Sequence, residues 1–428
     1  MTGPIKQRLG RTFSAFAVPN FRRYFFGQAT SVAGTWMQIT AQAWLVLTLT
    51  NSATDLGIAL SLQTLPILLF GTYGGLIADR VDRRRLMMWL ESSMALQALV
   101  LGVLTISGVI RFWEVCVLAS ILGLHSAFES PARQSFVREV AGREHLQNAI
   151  SWAAIAQNTG RIIGPAIGGL LITYFGTGEC FLVNGVSFGV AVYALFTLDM
   201  STLRSAESTD RAKGQLREGF QYVRKTPNLA IPLAMMAVVG TFALEFQVTI
   251  PSLVKTTFHQ GAAGYGYINA AQGVGAIVGG LVVATRGKAG LRSMIVWLVA
   301  FGVALGLLAL APNMVTAYLI MAVMGWSLTT LATTGQTTIQ LASDPQMRGR
   351  TLSLWIIATQ GTTPLGASII GVLIQSTNPR VGIGFGAIAC LVAAGGGVVL
   401  ARHSKAWREG PATIRVHKVA VPDDSDVA

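Results

Sequence analysis

Charge is what this sequence has least of. Asp, Glu, Lys and Arg make up 12% of its 428 residues, where a soluble domain carries roughly 25%, so the chain cannot cover a water-facing surface of its size. Cysteine is nearly absent too. Cys116, Cys180 and Cys390 stand alone in apolar runs, with neither metal-ligand spacing nor the number a disulfide framework needs. No phosphate-binding loop occurs, since RGKAG at 286–290 lacks the spacing. No nucleophile comes with a base, so neither an enzyme nor a metal or cofactor is expected. Residues 1–24 are basic but lack the apolar run and small-residue cleavage site of a secretory signal.

Hydrophobicity is what the sequence has instead, at 52% of residues. A bilayer core takes about 20 apolar residues per helix. Runs of that kind predict helices at 25–49, 56–78, 86–107, 113–132, 148–175, 179–199, 229–254, 264–285, 292–311, 314–340, 351–376 and 380–402. The fold class is therefore an all-α integral membrane protein of twelve transmembrane helices.

Orientation follows from the cations, because cytoplasmic loops accumulate them. With the N-terminus inside, 28 of the 32 Lys and Arg fall in cytoplasmic segments. Arg111, Lys255 and Arg380 lie outside, and Arg161 lies within a helix. Both termini are thus expected in the cytoplasm of a bacterial inner membrane. The net charge of +13 then suits anionic lipid headgroups and calls for no nucleic acid.

The longest polar interval divides the helices six and six. The expected organisation is an amphipathic N-terminus (1–24), a six-helix bundle (25–199), a linker (200–228), a second bundle (229–402) and a disordered tail (403–428). Asn20 is a candidate N-cap for the first helix. In the linker, Leu216, Phe220 and Val223 recur at helical spacing, predicting a short interfacial helix. The halves also resemble each other. Gly123–Ile172 and Gly325–Ile374 align without a gap at a shift of 202, with ten identities in fifty. Two such halves with a site between them form a transporter architecture.

Two motifs sharpen this. GGLIADRVDRRR, with Gly75, Asp79, Arg80, Arg83 and Arg84, resembles the loop between helices 2 and 3 of the major facilitator superfamily. Asp82 stands where that pattern has Gly. NTGRIIGPAIGG, with Gly160, Gly164, Pro165, Gly168 and Gly169, resembles the helix 5 motif of the superfamily's antiporters. Its small residues let backbones approach and Pro165 removes a backbone bond, which suits packing against the opposite half. Further blocks, GLHSAFESPARQSF, LQNAISWAAIAQNTGRIIGP and FLVNGVSF, resemble the branch containing the enterobactin exporter and macrolide efflux proteins. The resemblance implies export of a small organic molecule by alternating access, driven by the proton motive force, by a monomer contacting substrate, protons and lipid. It also implies that Asp79 latches onto the start of helix 11 near Thr351. The helix 4 arginine of many proton-linked relatives is Ala119 here, so coupling must use other groups.

Ionisable groups inside a bilayer are costly, about 2.5–3.5 kcal/mol each on insertion scales, and usually face a cavity or partner. Glu245, within predicted helix 7 and flanked by Thr241 and Thr249 one turn away, is the main candidate to carry a proton. A structural hydrogen bond is the alternative. Arg161 could meet an anionic substrate or balance a carboxylate. Glu129 and Arg133 are spaced as a helix-surface pair, Glu91 is expected to snorkel to the interface, and His125 could shuttle protons or simply pack. For the substrate cavity, helix 1 offers Thr35, Trp36, Gln38 and Gln42, and helix 10 offers Thr330, Thr333 and Thr334. That polar, weakly charged wall suits a bulky, partly apolar substrate such as a siderophore or drug. A facilitator or importer, or a sensor or scaffold, remains open.

Overall fold

The computed structural model describes residues 12–203, 215–286, 288–402 and 412–413. Ten helices among these are long and apolar enough to cross a membrane. Two facts bring the crossing segments to twelve. The helix Phe112–Tyr174 breaks at Gly142, whose φ of 71° only glycine adopts readily, giving α4 (112–141) and α5 (143–174). Helix α1 (Pro19–Thr50) has 32 residues and ample length, although Gln28, Gln38 and Gln42 dilute its hydropathy.

The remaining segments are α2 (Ala53–Arg80), α3 (Arg83–Ile106) and α6 (Thr177–Phe196) in the first half. In the second half, α7 comes in two pieces, Pro227–Phe242 and Phe246–Ser252. Then follow α8 (Ala262–Arg286), α9 (Leu291–Ala309), α10 (Met314–Ala342) and α12 (Pro379–Ala401). Helix α11 runs as Arg348–Ile356, a π turn Ile357–Gly361, and Thr363–Ser376. Two-residue strands at Lys288–Ala289 and Ala412–Thr413 pair antiparallel. The predicted tail otherwise falls outside the described residues.

Local chemistry starts and stops these helices. Ser52 accepts from the Asp55 N–H at the start of α2, Asn313 from Thr316 at α10 and Asn378 from Val381 at α12, each satisfying a donor the helix leaves free. The turn after α2 has the same solution. Asp82 caps α3, its Oδ1 accepting from the Arg85 N–H at 2.8 Å, and so supports the bend that the motif's glycine would otherwise make. Asn20 does not cap α1, which starts at Pro19. Asn20 is buried, and its amide exchanges hydrogen bonds with the Asp199 backbone (2.8 and 3.0 Å), tying α1 to the exit of α6. The linker helix Gln215–Lys225 buries Val223, exposes Phe220 and docks on the second half through a Glu218–Arg350 ion pair of 2.6 Å.

The internal repeat is visible as repeated close approaches. A Cβ at Gly123 would lie 1.8 Å from the Gln63 carbonyl oxygen, and one at Gly325 would lie 1.9 Å from that of Gln272. These pin α4 to α2 and α10 to α8. Between the halves, Gly57 of α2 meets Ala367 and Gly371 of α11, while Gly266 of α8 meets Gly169 of α5. Gly169 and Gly371 are 202 residues apart, as are Gly123 and Gly325.

These inter-half contacts crowd at one end of the bundle, here the far end, opposite the arginine-rich turns. Ser61 donates to the Pro364 carbonyl at 2.6 Å, and the Ala53 N–H to Gln375 at 2.8 Å. Lys255, in the π turn Leu253–Thr257 that follows α7, donates to the Leu47 carbonyl (2.5 Å) and Asn51 Oδ1 (2.8 Å) at the C-terminus of α1. Trp44 stacks on Tyr265 at 6.2 Å. Towards the basic end the close approaches stop near Leu68–Gly361 and Ile162–Gly273. Below that level, Ser151, Ile155, Asn158 and Gln336 are exposed, and the halves part.

Candidate functional site

The space between the halves, closed at the far end and open at the basic end, is the candidate site. Its most distinctive residue is Glu245. The sequence places it inside helix 7, but the helix is interrupted there. Residues 243–245 leave α-helical geometry, with Glu245 at φ −79°, ψ 48° just before the second piece. Thr241 and Thr249 therefore do not flank it on one continuous helix face. The carboxyl is only 2% exposed and turns toward α11, where Gly366 leaves room for it. The Thr363 hydroxyl lies beside it, while Oε1 has no hydrogen-bond partner. A buried acceptor without a partner is uncommon in a folded protein.

Arg161 is set on α5. Gly160 and Gly164 rest on α1, whereas Ile162 and Gly169 rest on α8. At about 100° per residue, Arg161 falls between those faces and points into the inter-half space, where its side chain stays accessible. Among the described residues it has no ion-pair partner. A shift of 202 relates it to Thr363, the residue beside Glu245. The cation thus sits at the position in the first half that corresponds to the carboxyl's α11 neighbour in the second.

The helix 5 motif is mostly an intra-half device. Gly160, Gly164 and Gly168 meet Val32, Trp36 and Met37 of α1, Trp36 through its Cβ. Gly169 and the Pro165 carbonyl carry out the expected contact with the opposite half, a Cβ at Gly169 falling 2.6 Å from Gly266 Cα and one at Gly266 falling 3.1 Å from the Pro165 oxygen.

The proposed polar wall divides. Gln38 is fully buried, donating to Gln97 (3.0 Å) and accepting from Asn184 (2.7 Å). It knits α1, α3 and α6 together and does not line the cavity, because equal spacing along α1 says nothing about which neighbour each residue meets. Gln42 bonds Gln63 of α2 at 2.9 Å, and both line a small cavity with Gln247 of α7. Gln63, on helix 2, escapes a reading that follows only helices 1, 4, 7 and 10, and Gln247 escapes one that takes from helix 7 only Glu245 and its flanking threonines. Thr35, Thr241, Thr249, Thr330 and Thr333 all donate to carbonyls one turn back in their own helices. Thr334 is buried. Threonines used this way keep a methyl and an accepting oxygen for a ligand.

Nearer the basic end, Glu129 pairs with Arg133 at 3.2 Å, as the spacing implies. His125 turns instead to Ser93, Nε2 to Oγ 2.8 Å, and its Nδ1 is buried without a partner. Glu91 does not snorkel: it is 1% exposed, and the amide of Gln28 and hydroxyl of Ser31 on α1 hold it inward. In the gate loop, Arg83 pairs with Glu139, and Arg84 donates to the carbonyls of Leu195 and Phe196 at the end of α6. Gly75 and Asp79 lie within α2, but the side chains of 75 and 79 are outside those described. Thr351, the expected partner of Asp79, is buried and bonds Ser343 at 2.7 Å. Among the described residues no cluster could hold a metal ion.

Comparison with known proteins fits this geometry. The family of transmembrane secretion effectors matches residues 10–412. The chain is similar to the multidrug efflux pump Tap of Mycolicibacterium fortuitum, 26% identical over 81% of this chain and 87% of the relative. It is also similar to the enterobactin exporter EntS of Escherichia coli, 22% identical over 82% and 85%. In three dimensions it resembles the nucleoside transporter NupG, with a TM-score of 0.69 over 90% of this chain and 98% of that one at 14% identity.

Proposed function

The chain belongs to the transmembrane secretion effector family and has the major facilitator fold, and from that premise we propose that it exports a small amphipathic organic molecule by proton antiport. The enterobactin exporter and the multidrug pump among its relatives support export as the direction and a siderophore- or drug-like compound as the cargo. With the arginine-rich end taken as cytoplasmic, the arrangement is inward-open, the state in which an exporter loads.

The observation that carries the reading is Glu245. Its carboxyl sits at the break in α7 with one oxygen unpartnered and the cavity wall of α11 beside it. A carboxyl held there can take a proton from the far side and release it inward, because neither state is locked by an arginine. Arg161 gives the substrate a cation to meet in the same space, and the threonine oxygens and apolar walls take the rest. A proton moving inward contributes about 2.3 kcal/mol per 100 mV, enough to turn the cycle against a substrate gradient.

The test compares compounds released by cells with and without the gene, under iron limitation and in rich medium, before and after an uncoupler. Gene-dependent release that collapses with the proton gradient is expected, and Glu245→Gln should abolish it. Release that survives the uncoupler would point to a facilitator. Release unchanged in Glu245→Gln would remove that residue from the coupling.

A further inference from the structure

A second buried carboxyl is built into the N-terminal half. Glu91 of α3 accepts from Gln28 Nε2 at 2.6 Å and from Ser31 Oγ at 3.1 Å. Tyr24, Gln28 and Ser31 follow one another along one face of α1. Two atoms in this nest are buried and lack partners, Gln28 Oε1 and the Tyr24 hydroxyl, on residues 7% and 3% exposed.

The surrounding charges do not balance Glu91. From α4 come Glu129 and Arg133, which pair with each other. Arg133 also donates to the Gln157 carbonyl of α5 at 2.5 and 2.8 Å, with the amide oriented by its hydrogen bonding. His125 of α4 turns to Ser93. Helix α6 meets α3 beside Glu91 through Gly185 and Phe188 and brings no charge there, its Glu179 lying at the other end of the contact, next to Gly178, which meets Ile106. At the α2–α3 turn Arg83 is taken by Glu139 and Arg84 by the end of α6. Glu91 thus faces one arginine already engaged, and its own hydrogen bonds come from neutral groups.

We propose that Glu91 is a proton-binding site of the N-terminal half, switched through the amide of Gln28. Ionised, Glu91 accepts the Gln28 N–H and leaves Gln28 Oε1 bare. When a proton from water at the basic end adds to a Glu91 oxygen, that O–H becomes a donor and the amide turns to offer Oε1. The acceptor then gains a partner in exchange for the Nε2 donor's bond to Glu91, and the buried negative charge disappears, removing the cost of an uncompensated ion. One O–H bond forms and no other covalent bond changes. Because Gln28 and Ser31 lie on α1, which also carries Thr35 and Trp36, the switch acts on a helix of the cavity wall. Its part in transport rests on the proton-antiport reading; the protonation itself does not.

The probe is the proton. The full chain in lipid nanodiscs is titrated by infrared difference spectroscopy, reading the C=O stretch of neutral carboxyls. The wild type should lose one buried component on raising the pH that Glu91→Gln lacks and Glu245→Gln keeps. Gln28→Leu should shift that component's frequency and midpoint. Identical titrations of the wild type and Glu91→Gln would show a permanently ionised structural acceptor and overturn the proposal. Should Glu91→Gln fail to fold, Gln28→Leu decides alone: an unshifted band overturns the switch. A wild type that shows this titration but exports nothing under a proton gradient would count against the transport reading and leave the site standing.

Discussion

Replacing Gly57 with alanine should drive the protein away from the state described here. The added Cβ would lie 2.3 Å from the Ala367 carbonyl oxygen and 3.1 Å from its carbon, against about 3.5 Å for comfortable contact. That oxygen belongs to the backbone of α11 and cannot rotate aside, so the halves must separate by roughly 1 Å at the far end. Overpacking of this kind costs about 1–3 kcal/mol. Since it falls on one conformation, the balance between far-end-closed and far-end-open should shift roughly 5- to 150-fold. Nitroxide pairs at Ser107 and Pro312, and at Arg80 and Gln346, report on the two ends by pulsed spin-resonance distances; all four positions are exposed. The first distance should lengthen and the second shorten. Gly169→Ala should repeat the effect through Gly266, while Gly280→Ala, with nothing within 4 Å, should change nothing. Unchanged distances in both Gly57→Ala and Gly169→Ala would refute the view that these glycines form the closed far-end seam.

Two further predictions concern polar contacts at opposite ends. Lys255→Met removes the cation from the C-terminus of α1, where such a charge contributes about 0.3–1 kcal/mol. It should open the far end roughly two- to fivefold in the same distance measurement, and no change would make Lys255 a bystander. Asp82→Ala removes the cap of α3 and should cost about 0.5–2 kcal/mol in thermal unfolding, whereas Asp82→Gly should cost only a few tenths. Equal losses in the two variants would mean that the turn depends on Asp82 for something other than capping.

Much of the architecture was legible in the residues. Twelve helices, the six-and-six division and the 202-residue repeat follow from hydropathy and from matched glycines, because lipid demands long apolar helices and backbone approach demands small residues. The Glu129–Arg133 pair was legible for the same reason, since spacing within one helix fixes proximity. Where the reading failed, the deciding partner lay on another helix. Asn20 looks like a cap until Asp199 is brought beside it, Glu91 looks like a snorkelling acid until Gln28 and Ser31 arrive, and Gln38 looks like cavity wall until Gln97 and Asn184 saturate it. Gln63 and Gln247 were passed over because only the packing of α2 and α7 beside Gln42 brings them to one cavity.

The sequence by itself determined that this is a twelve-helix membrane protein of two related halves with its cations gathered at one end. Hydrophobicity, charge position and glycine spacing are properties of the chain read in order. Only the tertiary structure decided which polar groups are paired, which oxygens of Glu245 and Gln28 stay bare, and at which end the halves meet. Those depend on the rotation of each helix about its axis and on contacts between residues far apart in sequence, here Gly57 with Gly371 and Gly169 with Gly266, which no local pattern encodes.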